Sequence, residues 1–166
     1  MNFVAQYLSE AAQVAARIDH AAVESLVDLL ADTRDGGGRL FVLGVGGSAG
    51  NASHAVNDFR KIAGFEAYAP TDNVSELTAR INDDGWEHAV LDWRYSFGKS
   101  PTDLEFIFSV GGALDGLSAN LRGAEYGIVG AKGGYQRRIV IPSESTPVIE
   151  GCQSVIAHYL VDALCD

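Results

Sequence analysis

The segment from Arg39 to Lys61 constrains the fold more than any other part of this 166-residue chain. A run of apolar residues turns through Gly44, Gly46 and Gly47 and then continues into a helical pattern. A strand that passes through a glycine turn into a helix leaves free backbone N–H groups at the positive end of the helix dipole. The segment therefore predicts an anion-binding turn of the kind that holds a phosphate group.

The helix after this turn carries His54 and Asp58 one turn apart, so the imidazole and the carboxylate share one face. Acid–base catalysis and metal binding both use this pair of groups. Each feature also has a structural explanation, because glycines permit tight packing of a strand against a helix and a lone histidine is often only solvated. Together they favour an enzyme that acts on a small phosphorylated molecule.

Length and charge narrow the class of protein further. The chain has the length of one domain with a substantial core, so we predict a single domain over residues 1–166. Lys and Arg number 12 against 22 Asp and Glu, and the resulting net charge of −10 argues against nucleic-acid binding. No window of about 18 apolar residues predicts a membrane span, and no signal peptide is evident. The two cysteines, Cys152 and Cys165, indicate a reduced, cytoplasmic protein.

Hydrophobic periodicity predicts the order of elements. Residues 3–33 read as a long amphipathic N-terminal helix, or as two helices joined near His20. The predicted strands cover 39–45, 67–70, 104–110, 126–130 and 139–141. The predicted helices in the middle of the chain cover 49–63, a segment that begins at Asp72 or Asn73 and ends near Asn82, 85–96, and a weak stretch at 115–125. A last helix is capped by Thr146 and runs to about Leu164. This alternation is typical of a three-layer α/β fold with a parallel sheet covered on both faces.

With these elements in place, the chain resembles the sugar isomerase (SIS) domain family, and within it the phosphosugar isomerases of the sedoheptulose 7-phosphate type. The residues that carry the resemblance are Gly44–Ser48 with His54 and Asp58, Thr71-Asp72-Asn73, Asn82-Asp83, Gly130-x-x-Gly133-Gly134, and Glu150 with His158. The resemblance implies a flavodoxin-like, doubly wound sheet of five strands. It also implies a homotetramer with active sites at the subunit interfaces.

The resemblance further implies the roles of individual residues. A divalent metal such as zinc would be bound by His54, Asp58, Glu150 and His158, and catalysis would be carried by Asp58, His158 and Glu150. The substrate, a phosphorylated sugar, would be held by Val45, Gly46, Gly47, Ser48, Asn82, Asp83, Ser109, Val110 and Gly111. Four places depart from the family pattern. Val45 stands where asparagine is usual, and Ser109-Val110-Gly111-Gly112 keeps one hydroxyl of a serine- and threonine-rich loop. Asp58 stands where many members have glutamate and part of the family has aspartate, and Glu150 stands where the last helix of the family has a glutamine.

The expected reaction, aldose–ketose isomerisation, moves a proton between two neighbouring carbons and needs a base, a second proton carrier and a cation or donor at the oxygens. His54 and Asp58 are about 6 Å apart along their helix, whereas Glu150 and His158 are roughly 12 Å apart along theirs. Glu150 and His158 therefore lean toward one ion, serve the sites of different subunits, or divide the roles of base and ligand. A sugar-phosphate-binding module without catalysis is the alternative function, and a nucleotide binder is a weaker third.

Overall fold

The computed structural model describes residues 2–98, 100–112 and 124–166. Five parallel strands form one sheet: β1 (Leu40–Leu43), β2 (Ala67–Tyr68), β3 (Leu104–Ser109), β4 (Ala124–Gly130) and β5 (Arg138–Ile141). Their order across the sheet is β2-β1-β3-β4-β5. This is the flavodoxin-like order, in which the chain reverses its winding direction between β1 and β3. The predicted doubly wound α/β fold is confirmed.

The described helices are α1 (Phe3–Ala15), α2 (His20–Asp35), α3 (Gly47–Lys61), α4 (Val74–Asp84), α5 (Trp86–Ser96) and α6 (Thr146–Ala163), with a 3-10 turn at Pro70–Asp72. The long N-terminal helix is thus two helices, the second of the two predicted arrangements. They are separate because the carboxylate of Asp19 accepts hydrogen bonds from the backbone of Ala21 and Ala22 and starts α2 afresh. Most of the predicted weak helix at 115–125 lies outside the described residues.

The structure selects one of the two predicted caps of α4 and shifts the predicted cap of α6 by one residue. Of the two candidate caps for α4, Asn73 is the one that accepts a hydrogen bond from Glu76 N, whereas the Asp72 carboxylate binds Ala69 N and Arg60. The capping position of α6 is Ser145 rather than Thr146. A cap must keep extended backbone angles, and here that conformation falls one residue earlier than the sequence pattern suggests.

Alternate residues of the strands pack into two apolar layers, one on each face of the sheet. Leu40 and Val42 face a layer shared with α2, α3 and α6, whereas Phe41 and Leu43 face a second layer shared with α5. This alternation follows from the period of two in a strand. Helices therefore cover both faces of the sheet, and the carboxyl ends of β1 and β3 open where the winding reverses. No helix in the described part of the chain combines the length and apolarity that a bilayer crossing needs.

A buried ion network ties α5 to the sheet at the end opposite the glycine turn. Arg94 contacts Glu105 at 2.7 Å and Asp103 at 3.0 Å, and Arg39 contacts Asp103 at 2.7 Å. The Arg94 guanidinium also lies 3.8 Å from the ring centroid of Phe41. Burial raises the pKa of Asp103, but hydrogen bonds and charges from Arg39, with Arg94, outweigh it and leave that pKa below its usual value.

Replacing Asp103 with asparagine should destabilise the fold by about 3 kcal/mol near neutral pH, because two guanidinium groups lose a buried partner. A carboxylate with a lowered folded-state pKa stabilises above its unfolded pKa of about 3.9 and loses that contribution as pH falls through the folded-state value. The difference between wild type and Asp103→Asn in denaturant unfolding should therefore shrink in acid. Asp35→Asn, at an exposed surface pair, is the matched control and should cost no more than about 0.5 kcal/mol. An equal difference at about pH 3 and pH 7 would contradict this account.

Candidate active site

The glycine turn lies at the carboxyl end of β1, next to the point where the sheet reverses its winding. Gly46 precedes α3 with φ +63° and ψ −127°, a conformation open essentially to glycine alone. A Cβ at Gly44 would collide with the backbone of Ser48 in the first turn of α3. The turn therefore brings the N-terminus of α3 as close to β1 as the backbone allows, as an anion cradle requires.

The side chain of Ser48 points into the protein rather than toward the cradle. Its hydroxyl donates to Gln153 Oε1 at 3.0 Å, and the residue is 2% exposed. The Gln153 amide in turn donates to the carbonyl oxygens of Ser109 and Ile128. The Ser48 hydroxyl is thus engaged with the scaffold rather than with the turn.

Gln153 is the important residue that the sequence analysis missed. It is fully buried and joins α3, α6 and the carboxyl ends of β3 and β4 through one amide group. The available signal was a glutamine inside the apolar stripe of α6, three residues after Glu150. A polar residue on a buried helical face needs partners, and those partners come from segments far away in sequence.

His54, Asp58 and His158 meet on the surface between α3 and α6. His54 Nε2 lies 3.1 Å from Asp58 Oδ2 and 3.1 Å from His158 Nε2, and His158 Nε2 lies 3.8 Å from Asp58 Oδ2. The side chains of His54 and His158 are 58% and 52% exposed, and that of Asp58 is 15% exposed. The structure therefore brings together two residues of α3 with a third from the last helix, 100 residues further along the chain.

The donor set of this cluster fits a divalent metal. His158 Nδ1 lies 2.8 Å from the carbonyl oxygen of Ser154, so this nitrogen carries the proton and neutral His158 presents the lone pair of Nε2 to the cluster. Ligands of a tetrahedral zinc, bound at about 2 Å, are roughly 3.3 Å apart. The three observed separations lie close to that value. Two imidazoles and one carboxylate suit zinc and leave a fourth position for water or substrate.

Glu150 lies apart from these three residues. Its carboxylate rests over Gly47 at the start of α3, where a Cβ would collide with both oxygens. Among the described residues, the cluster of possible metal ligands comprises His54, Asp58 and His158. Within one protomer, Glu150 is therefore not part of the cluster formed by the other three predicted ligands. This separation agrees with two of the stated alternatives, in which Glu150 and His158 serve the sites of different subunits or divide the roles of base and ligand.

The loop after β3 lies at the carboxyl end of the strand next to β1 and lines a cavity of its own. Ser109 is buried, and its hydroxyl accepts a hydrogen bond from Gly112 N at 3.0 Å. Val110 and Gly111 line a small cavity of about 160 Å³ together with Lys132. This loop therefore offers backbone groups and a nearby lysine more than side-chain hydroxyls.

Asn82 and Asp83 are exposed on the last turn of α4, where the Asn82 amide donates to the Asp83 carboxylate at 2.8 Å. The residues of α4 and α5 that line the cleft beside the glycine turn instead include Leu77 and Trp86. Trp86 is 44% exposed and lines the cleft beside the turn, whereas Trp93 is buried in the core.

Known phosphoheptose isomerases are similar to the chain in sequence and in fold. It is 34% identical over 158 residues to the enzyme of Geobacter sulfurreducens, covering 84% of this chain and 82% of that protein. The corresponding protein of Geotalea daltonii is 30% identical over 158 residues, covering 86% and 82%. The solved structure of a phosphoheptose isomerase from Francisella tularensis has a TM-score of 0.86 at 20% identity, covering 99% and 98%. No protein-family model matches the chain.

The parallel sheet, the glycine turn and the flanking helices are those of a sugar isomerase domain. The chain belongs to the phosphoheptose isomerase family and is an aldose–ketose phosphosugar isomerase. The family resemblance and the enzyme class expected from the sequence are confirmed.

Gly47→Ala should lower isomerase activity about 100-fold, because the added methyl group displaces the carboxylate of Glu150 from the turn. Gly50→Ala is the matched control, since a Cβ there meets open space on the same helix. That variant should keep full activity and gain about 0.5–1 kcal/mol of stability. Steady-state kinetics and thermal unfolding measure both effects. Full activity of Gly47→Ala would show that the position of Glu150 is unimportant.

Proposed function

We propose that this enzyme interconverts a ketose phosphate and its aldose isomer, of the sedoheptulose 7-phosphate type, through an enediol and with the help of a divalent metal such as zinc. The observation that carries the proposal is the convergence of His54, Asp58 and His158 on one point. The relatives that cover most of the chain are phosphoheptose isomerases, which supports a sugar phosphate of this kind as substrate.

The phosphate end of the substrate is proposed to bind at the N-terminus of α3. Backbone N–H groups of Gly46, Gly47 and Ser48 would contact it, together with the loop at Val110 and Gly111. His54 lies seven residues beyond Gly47, about 10 Å further along α3. An extended, open-chain sugar bound at the turn therefore reaches along the helix toward the cluster.

His54, Asp58 and His158 would hold the metal, which when bound supplies a Lewis acid for the carbonyl and hydroxyl oxygens of the sugar. The hydrogen bond from His158 Nδ1 to Ser154 fixes the ring so that Nε2 stays directed at the cluster. Asp58 is the proposed proton carrier at this end, through a carboxylate oxygen that would not bind the metal, and His158 would carry a proton only where its Nε2 is not a metal ligand. Glu150 lies at the glycine turn, away from the reacting carbons of a sugar bound in this protomer, so we place its role as a proton carrier in the site of a neighbouring subunit.

Asp58→Asn should lower the turnover of sedoheptulose 7-phosphate by at least about 100-fold, since an amide cannot carry the proton. The variant should also retain less metal after dialysis, measured by elemental analysis, because a neutral amide is a weaker ligand than a carboxylate. Asp28→Asn, at an exposed position of α2, is the control and should leave both measurements unchanged. Unchanged turnover in Asp58→Asn would exclude the proposed catalytic role.

A purely binding function gives a different result in the same preparation. A sugar-phosphate-binding module would show thermal stabilisation by the sugar phosphate without uptake of solvent deuterium at C1 or C2. An isomerase that passes through an enediol removes a proton from C1 or C2 of the sugar, and this proton exchanges with solvent before it is returned. Uptake of deuterium therefore distinguishes the proposed function from its alternative.

We further propose a homotetramer with the active sites at subunit contacts, in a cytoplasmic protein. The helix α1 exposes large apolar side chains to solvent: Phe3 is 80% exposed, Val4 62% and Leu8 61%. An exposed apolar patch of this kind is typical of a surface that binds another protein. On α6, Val155 and Tyr159 flank His158 on the exposed stripe and line a cavity of about 330 Å³. A second copy on these apolar surfaces would also cover the cluster. The two free cysteines suit a reducing compartment.

Leu8→Glu should dissociate the oligomer, because burying a carboxylate in an apolar contact is costly. Light scattering after gel filtration would measure the mass, and activity should fall with it because the sites lie at the contact. Gln6→Glu introduces the same charge on the polar side of α1 and should leave the mass unchanged. A wild-type protein that is monomeric at all concentrations would refute the assembly.

A further inference from the structure

The cleft beside the glycine turn has walls that are almost entirely apolar. It is lined by Leu43, Gly44, Val45, Gly46, Ala49, Pro70, Thr71, Leu77, Trp86 and Val90. Among these described residues, side-chain hydrogen-bonding groups belong to Thr71 and Trp86 alone. The Thr71 hydroxyl is paired with the hydroxyl of Ser53 on α3. The wall next to the turn therefore offers very little to the hydroxyl groups of a sugar.

The cleft has the size of a subsite, with room for one part of a ligand. Its volume is about 190 Å³, below the roughly 300–1,000 Å³ of pockets that enclose whole small molecules. Val45, which is 37% exposed, stands between Gly44 and Gly46 and forms the edge shared by the cleft and the turn. A ligand whose anionic end lies on the turn thus places its neighbouring atoms against Val45, Leu77 and Trp86.

An apolar wall discriminates between a hydroxyl and a hydrogen on the adjacent carbon. A hydroxyl that enters the cleft leaves its water partners and finds few replacements, whereas a methylene or methyl group gains from leaving water. Apolar sites reject an added hydroxyl by up to about 100-fold. A uniformly hydroxylated sugar is therefore a poor match for this surface.

We infer that the sugar phosphate of this enzyme carries a deoxygenated carbon, a methylene or a methyl group, beside the end that binds the glycine turn, and that Val45 selects for it. The inference rests on the proposed function and refines its substrate class. Val45 acts here on specificity and takes no part in proton transfer.

Calorimetric titration tests the inference through binding, without any need for turnover. The probes are ribose 5-phosphate and glucose 6-phosphate, each compared with its singly deoxygenated analogues. The analogue that lacks the hydroxyl on the carbon next to the phosphate-bearing carbon should bind the wild type about 10-fold or more tightly than its parent sugar, and more tightly than analogues deoxygenated elsewhere. In Val45→Asn the new amide can pair with a hydroxyl, so that ratio should fall to one or below. Val74→Asn makes the same change at an exposed position outside the cleft lining and should keep the wild-type ratio.

The outcomes separate this inference from the proposed function. If every parent sugar binds the wild type at least as tightly as its analogues, or if Val45→Asn keeps the preference, the inference is wrong even when isomerisation occurs. A preference for a deoxygenated analogue without turnover or deuterium exchange of any sugar phosphate would support the inference and refute the isomerase. If none of the probes binds the wild type, the inference is wrong, whereas turnover of sedoheptulose 7-phosphate decides the proposed function separately.

Discussion

Gln153 makes all of its hydrogen bonds in the interior, where no water can replace a lost partner. Its amide holds the carbonyl oxygens of Ser109 and Ile128, and its oxygen accepts from Ser48. Removing one partner of such a buried group costs about 1–3 kcal/mol, so the three segments are held in one relative position. The packing of α6 against the start of α3 follows from this connection. The remainder of the site depends on that packing, because His158 and Glu150 reach α3 only from a correctly placed α6.

Charged and polar side chains are buried at one end of the sheet and lie at the surface at the other. At the amino end, Arg39 and Arg94 neutralise Asp103 and Glu105, whose side chains are almost fully buried. At the carboxyl end, the charged groups of the cluster stay half exposed or near the surface, and the turn exposes backbone N–H groups. Because α5 is anchored at the amino end, its Trp86 end is held against the turn as part of the cleft. The buried ion pairs that stabilise the fold therefore lie at the end of the sheet opposite the candidate site.

A phosphosugar isomerase with an apolar wall beside its phosphate cradle combines a shared reaction with a local change in specificity. The proposed proton transfer would use the carboxylate and imidazole groups that α3 and α6 bring together, with a bound cation. The wall formed by Val45, Leu77 and Trp86 would contact another part of the ligand. Specificity could change there without disturbing the chemistry, because the residues of this wall are not those of the cluster.

The sequence alone predicted the parallel α/β sheet, the glycine turn and the His54–Asp58 pair, because each depends on local periodicity or on residues within one turn of each other. It also indicated His158 through family resemblance. Tertiary structure alone decided that His158 joins that pair while Glu150 lies over Gly47. It also decided that the side chain of Ser48 points inward to Gln153. Finally, it decided that Trp86 lines the cleft while Asn82 and Asp83 stay exposed. The physical reason is that side-chain direction at these positions is set by packing between elements up to about 100 residues apart, and no local pattern in the chain encodes that packing.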